Sequence, residues 1–437
     1  MSGAGNTIGA RLETLFCFLS ISTFLGAYAT IPLRLQGGTS LEGGESNPFN
    51  AASMALVLVA MIALIAANWR DFLAVARLGG PVNILMALAM LSTLWSFDPS
   101  VTLRRSFSML QMVVFGYYMV ARFPMERVLR ILAAVFAGAL IVSAIIALAA
   151  PDVGVMHTAD VDGAWCGAFE HKSSLGVACT LGALCFGWQW VHEPQRRTLY
   201  TVGIVLCLFL AIMSRSKIAQ LTIVALIPIA AYLRLIRLPG LRRLWAVYIA
   251  VAVALAGAAF LFFFFADLTG AVGKDATLTG RIPIWTRLLQ FALTRPLGGY
   301  GYAAFFVLGN PDVEDVWRQG GWVMWDAHNT IIGILLDFGI PGLVLSAWIL
   351  FALIRNSLAA LSADSASWGA FVVIYIVSNA PISFVEMILY RGDIHSMLVT
   401  MFYVALQKQI ARTDVARAGV ARLSAARTRN AAHQFQR

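Results

Sequence analysis

Apolar residues in this chain come in long uninterrupted blocks, without the alternation of half-buried strands or the one-sided stripe of soluble helices. A helix that crosses a hydrocarbon core of about 30 Å needs roughly 20 mainly apolar residues. Blocks near that length, bounded by charges or turn residues, fall at 13–33, 51–68, 81–97, 106–121, 130–150, 173–191, 199–213, 218–233, 244–265, 340–354, 367–388 and 393–407. The pattern predicts an all-α integral membrane protein with about twelve transmembrane helices.

The pattern breaks between 266 and 339. Residues 266–327 carry Gly, Pro, Trp and mixed charge over a length far beyond an ordinary connection, which marks a functional loop with short helices of its own. An amphipathic helix is expected over Ile282 to Leu293. The chain thus divides into a polytopic membrane domain, 1–407, and a basic tail, 408–437. Within the first, 266–339 is a large outer loop and re-entry segment that carries part of the active site. No internal repeat is visible. Arg412, Arg417, Arg422, Arg427 and Arg429 stand close to helical spacing in the tail. It reads either as a cytoplasmic helix lying on anionic lipid or as a disordered stop-transfer anchor.

With 59% hydrophobic and 12% charged residues and a mean hydropathy of +0.77, the chain has too much apolar surface for a soluble core. Its net charge of +10 does not point to nucleic acid, because Lys and Arg gather in short connections between apolar blocks. A cytoplasmic N-terminus places Arg70, Arg77, the 122–130 segment, Arg196, Arg197, the 234–243 segment, Arg355 and the tail inside. Both termini are then cytoplasmic, and Glu42 and Glu45 lie in an outer loop without a basic residue. Residues 1–29 also resemble a signal peptide with a cleavage site at Ala27-Tyr28-Ala29; continuation of the apolar run to Pro32 favours a retained span. Cys17, Cys179, Cys185 and Cys207 sit in apolar runs and Cys166 in an outer loop, which gives neither a disulfide framework nor metal-ligand spacing.

Under this topology the outer face collects Arg104, Arg105, His171, Lys172, Arg215, Lys217, Arg281, Arg287, Arg295, Arg318 and His328, against the positive-inside trend. A converging set of cations at the membrane edge suits a lipid phosphate or diphosphate; for any single residue, interfacial snorkelling is the plainer account. Ser214-Arg215-Ser216-Lys217 is a tight polar turn between two apolar blocks, able to grip an anionic head group. His328 ends the long loop just before an apolar run and is a candidate general base, although a lone His is more often structural. Asp326, two residues away, could orient it. Glu386, Arg391, Asp393 and His395 read as ion pairing that closes the bundle. Gly298-Gly299-Tyr300-Gly301-Tyr302 lacks the strand and helix that a nucleotide loop requires.

In order along the chain stand Asp98-Pro99-Ser100 with Arg104-Arg105, Gly167-Ala168-Phe169-Glu170-His171-Lys172, Ser214-Arg215-Ser216-Lys217 and Thr279-Gly280-Arg281 with Trp285. Pro296-Leu297-Gly298-Gly299-Tyr300-Gly301-Tyr302 and Ala327-His328-Asn329, followed by Gly339-Ile340-Pro341-Gly342, complete the series. Together they resemble the O-antigen ligase and polymerase superfamily of bacterial envelope glycosyltransferases, over about residues 90–355. The phrase around His171-Lys172 and the run Tyr302-Ala303-Ala304-Phe305 look most like the succinoglycan-type exopolysaccharide polymerases. Ser173 and Ser174 stand where relatives commonly carry Asn, so no Asn role is carried over.

The resemblance implies a metal-independent, inverting glycosyltransferase without cofactor in the bacterial inner membrane. It would polymerise undecaprenyl-diphosphate-linked oligosaccharide repeat units into exopolysaccharide at the periplasmic face. Arg215 and Arg281 would hold the diphosphate, with Lys172, Lys217, His171 and Arg105 assisting. His328 would orient or deprotonate the acceptor hydroxyl, and Trp285 would stack on a sugar or anchor the loop. The donor, a glycan acceptor and the bilayer are the implied partners, with a flippase and a chain-length regulator as further ones. An O-antigen ligase acting on lipid A core shares the donor chemistry and stays open. So does a transporter of polysaccharide or lipid-linked sugar, which should show charges deep within its spans.

Overall fold

The computed structural model describes residues 8–28, 31–32, 48–157, 162–217, 219–226, 281–320, 323–363, 368–387, 390 and 393–413. The expected spans 218–233 (beyond 226) and 244–265, the basic 234–243 segment, Glu42, Glu45 and most of the tail lie outside them. Its helices are α1 Ile8–Phe24, α2 Pro48–Ala67, α3 Trp69–Ala76, α4 Gly80–Leu91, α5 Pro99–Arg122, α6 Met125–Ala149, α7 Lys172–His192 and α8 Arg197–Met213. Then come α9 Arg281–Thr294, α10 Pro311–Gly320, α11 Thr330–Ala363, α12 Gly369–Val385 and α13 over 394–413. Among the described residues the only extended pairing is one bridge, Val155 to Trp165.

Among the described residues, six helical stretches are long and apolar enough to cross a membrane: Pro48–Ala67, Trp69–Leu94, Met125–Ala149, Lys172–His192, Pro194–Met213 and Thr330–Leu361. Their outward side chains are apolar. Leu56 on α2, Leu148 on α6, Val205 on α8 and Phe351 on α11 are all exposed, a surface that only lipid solvates cheaply. The fold is that of an all-α membrane protein.

Several helices outrun the apolar blocks that announce them. Asp98 caps α5, its Oδ1 accepting from Val101 N at 3.0 Å, and Pro99 occupies the first turn where no N–H is needed. The helix therefore starts seven residues before the apolar block at 106, with Arg104 and Arg105 on its polar opening turns. The block at 340–354 likewise belongs to α11, which starts at Thr330 and breaks once, at Gly339 (φ 66°, ψ −159°). That conformation is open essentially to glycine alone. The amphipathic helix expected over 282–293 is α9, and α10 adds a second short helix to the long loop.

A tight turn at Phe123–Pro124 joins α5 to α6, and the Glu193–Arg196 turn makes α7 and α8 antiparallel neighbours. Packing joins α7 to α6 and α8, α11 to α4, α9 and α12, and α12 to α7. Where the ring of Trp188, near the C-terminal end of α7, meets that of Phe371 at the start of α12 (centroids 5.8 Å apart), the helices touch at opposite termini. From there each climbs about four turns, roughly 22–24 Å, to Lys172 on α7 and Glu386 just past α12. Both therefore reach the same end of the bundle.

Candidate functional site

The first half of the site is the Ser214–Lys217 turn. Ser214 and Ser216 point inward and are buried, whereas Arg215 and Lys217 are exposed. Ser214 Oγ donates to Ala211 O at 2.9 Å and accepts from Ser216 N at 3.3 Å, which locks the turn from within. Arg215 takes φ 52°, a left-handed conformation that costs any residue with a Cβ free energy. Its Nη1 donates to Asp162 O at 2.6 Å, and Trp165 N donates to Met213 O at 3.0 Å, so the 162–167 strap cradles the guanidinium. A Cβ on Gly176 would sit 2.8 Å from Ser216 Oγ, which shows how closely the first turns of α7 press on this turn. The N-cap of α7 is His171, whose Nδ1 accepts from Ser173 N at 3.2 Å. His171, Lys172, Arg215 and Lys217 are thus brought together, as the motifs imply.

The second half surrounds His328, at φ 44° another left-handed non-glycine. Its N–H donates to Asp326 Oδ1 at 2.6 Å, and its Nδ1 lies 3.2 Å from Glu386 Oε2. Nδ1 is also 3.4 Å from Asp326 Oδ1, but that oxygen is already engaged with the peptide N–H, so Glu386 is the partner of the ring. Ala327 O accepts from Trp285 Nε1 at 3.0 Å. Asn329 Oδ1 caps the first N–H groups of α11 while its amide donates to Phe384 O, and Thr330 Oγ1 donates to Glu386 O. Every residue from Ala327 to Thr330 is therefore tied to α9 or to the end of α12, and Asp326 holds the loop from within. An ionised carboxylate accepts and does not donate, so beside it Nδ1 carries a hydrogen, and in the neutral ring Nε2 then presents the lone pair that a general base needs.

The Pro296–Phe305 run is a structural plug. Trp95 Nε1 donates to Gly298 O, Phe97 N to Tyr300 O, Tyr300 N to Leu336 O and Ile340 N to Pro296 O. Ala303, at φ 54°, has its N–H on the buried Asp337 Oδ1 (3.0 Å) and its carbonyl on the Arg105 guanidinium. Thr102 Oγ1 donates to Tyr302 O at 3.0 Å. The loop welds the start of α5 to the Gly339 break, and Arg105 is placed as one of the welds. Hydrogen bonds from Val101 N and Ser100 hold the Asp98 carboxyl below its ordinary range, and burial raises the phenol of Tyr300.

Other outer cations do not converge. Arg287 pairs with Asp315 at 2.9 Å, Arg318 lies 4.0 Å from the same carboxylate, and Arg295 stacks on Tyr300. These contacts brace α9 against α10 and the plug. Trp317 donates to Met324 O and its ring meets Trp325, so this pair folds the loop on itself. Thr279, Gly280, Trp322 and Arg391 lie outside the described residues, and Arg281 is described only as the first residue of α9. Of the residues read as ion pairing that closes the bundle, Glu386 meets His328, His395 Nδ1 meets Tyr375 Oη at 2.9 Å, and Asp393 accepts from Ser396. Sequence reasoning missed Glu386 as the histidine's partner; 58 positions separate them and no local pattern links them.

Residues 202–347 match the family described as O-Antigen ligase. The chain is also 30% identical over 274 residues to the exopolysaccharide production protein ExoQ of Rhizobium meliloti (strain 1021). That match covers 60% of this chain and 61% of the relative, so somewhat less than two thirds of the relative's length is spanned. The family match takes in both the Arg215 turn and the His328 loop, and the resemblance carried by the ordered motifs is borne out: this membrane protein is similar to the O-antigen ligase family over that stretch and to ExoQ.

Proposed function

We propose that the protein is a membrane glycosyltransferase that polymerises oligosaccharide repeat units from an undecaprenyl diphosphate carrier into exopolysaccharide, at the periplasmic face of the bacterial inner membrane. The observation that carries this reading is the shared end of the bundle. It holds a built cationic turn, Arg215 and Lys217 beside His171 and Lys172, together with a histidine whose Nδ1 faces a carboxylate.

Glycosyl transfer from a lipid diphosphate needs positive charge for the departing oxygens and a base for the attacking hydroxyl. Arg215 offers a planar fork suited to phosphate oxygens, and Lys172 and Lys217 add point charges. Arg281, at the start of α9, joins them through the same motif logic. His328 accepts the acceptor hydroxyl's proton at Nε2 while Glu386 stabilises the imidazolium through Nδ1. Attack opposite the diphosphate breaks the anomeric C–O bond, forms the new glycosidic bond with inversion and releases undecaprenyl diphosphate. Fixed cations supply the stabilisation, which makes the reaction independent of divalent metal. A flippase and a chain-length regulator fit upstream and downstream of such an enzyme. The family description favours a second reading, transfer of the same donor's glycan to a lipid A core sugar.

The test is reconstitution in lipid nanodiscs with lipid-linked repeat units and chelator. A ladder of lengthened lipid-linked glycans is expected, reduced by at least roughly 100-fold in Arg215→Ala and His328→Ala. Transfer only after addition of lipid A core sugar makes the protein a ligase. Loss of activity on chelation removes metal independence, and inactivity with both acceptors sinks the enzyme reading.

A further inference from the structure

A second cationic site lies at the other end of the bundle, where α1 and α6 run side by side. Between them is a cavity of about 280 Å³ lined by Thr14, Phe18, Arg127, Arg130, Ile131 and Ala134. Both helices enter from this end, and both change from polar to apolar in the same direction. Thr14 precedes Phe18, and Arg127 and Arg130 precede Ile131 and Ala134. Along α6 that polar-to-apolar passage spans about 10 Å. The hollow has a cationic rim, an apolar wall beneath it and the N-terminal end of α6 beside it, where partial positive charge gathers.

The arginines are incompletely engaged by protein. Arg127 donates through Nη2 to Thr14 Oγ1 at 2.8 Å and covers the Phe123 ring at 4.9 Å; among the described residues it makes no salt bridge, and Glu13 acts on it only through space. Arg130 lies 3.6 Å from Glu193 with 52% of its side chain exposed, and Glu193 is also held by the Tyr200 hydroxyl at 2.6 Å. Glu13, the nearest acid on α1, is taken by Arg122 at 2.7 Å and by Tyr118. Glu126 forms no ion pair with either arginine among the described residues.

We infer that this cavity binds the phosphate of an anionic phospholipid, in the leaflet opposite the glycosyl-transfer site. The phosphate lies between Arg127 and Arg130, and an acyl chain runs along Phe18, Ile131 and Ala134. Charge complementarity selects an anion, and the apolar wall facing the bilayer core selects a lipid over a soluble ion. The inference is independent of which reaction the other end performs.

The measurement is native mass spectrometry of the full chain titrated with phosphatidylglycerol or phosphatidylcholine. Phosphatidylglycerol should bind roughly tenfold tighter, and Arg127→Gln with Arg130→Gln should remove that preference. Arg70→Gln, a cation on α3 outside the cavity, should keep it. Ala134→Phe, which fills the wall and leaves both charges, should weaken binding similarly. Equal binding of the two lipids, or preference retained by the double variant, overturns the proposal. Full competition by inorganic phosphate also overturns it, because the site would then take a soluble anion. A monodisperse double variant with unchanged Tm in phosphatidylcholine separates lost binding from lost folding.

Discussion

Glu386 contributes one oxygen to the site, at 3.2 Å from His328 Nδ1, and its value is directional. It fixes the tautomer and stands where imidazolium charge would develop, without touching the acceptor itself. Glu386→Gln keeps the shape and removes the charge. Polymerisation should fall by roughly 10- to 100-fold while KM for the lipid-linked donor changes little, as donor binding rests on the cations of the α8 turn. A rise in KM with unchanged kcat would place Glu386 in donor binding instead. His328 and Arg215 were legible in the sequence because each is a polar residue set hard against an apolar run. Their left-handed backbones and the carboxylate facing His328 were not, since both depend on where distant segments dock.

Apolar blocks near the length a bilayer needs are hard to misread, and α2, α6, α7 and α8 fall within a few residues of their expected spans. The errors of extent lie where polar residues enter a helix for reasons outside it. Asp337 and Gly339 interrupt the apolar run of α11, so its first turns read as loop, yet Asp337 is buried against Ala303 and Gly339 accommodates the carbonyl of Pro296. Gly339→Ala should therefore cost about 2 kcal/mol or more, from a strained φ together with a clash against backbone. Thermal denaturation in nanodiscs should show a clear fall in Tm, with loss of activity because the plug and the His328 loop share this segment. Gly187→Ala on α7, where an added Cβ meets nothing within 4 Å, should leave Tm unchanged or slightly raised. Equal effects of the two substitutions would mean that the break is not an obligatory feature of α11.

Across the whole molecule, charge is distributed by end. One end gathers Arg215, His171, Lys172 and His328, and the other gathers Arg122, Arg127, Arg130, Glu193 and Lys408, whose Nζ caps Val120 O at 2.8 Å. Alternating helix directions follow from the order of apolar blocks and short turns, so this separation was legible in outline. The convergence of α7 and α12 at one level required packing. The positive-inside rule favours a cytoplasmic second end, and the proposed function accordingly has the site end face the periplasm. All five native cysteines are buried, so they provide a silent background for a membrane-impermeant maleimide. Leu297→Cys, at an exposed position of the plug, should label in intact spheroplasts, whereas Gln195→Cys in the α7–α8 turn should label only after the membrane is permeabilised. The reverse pattern would put the cationic turn and His328 in the cytoplasm. A polymerase that acts after its lipid-linked donor has crossed the membrane would then be ruled out, whatever chemistry the two halves of the site could perform together.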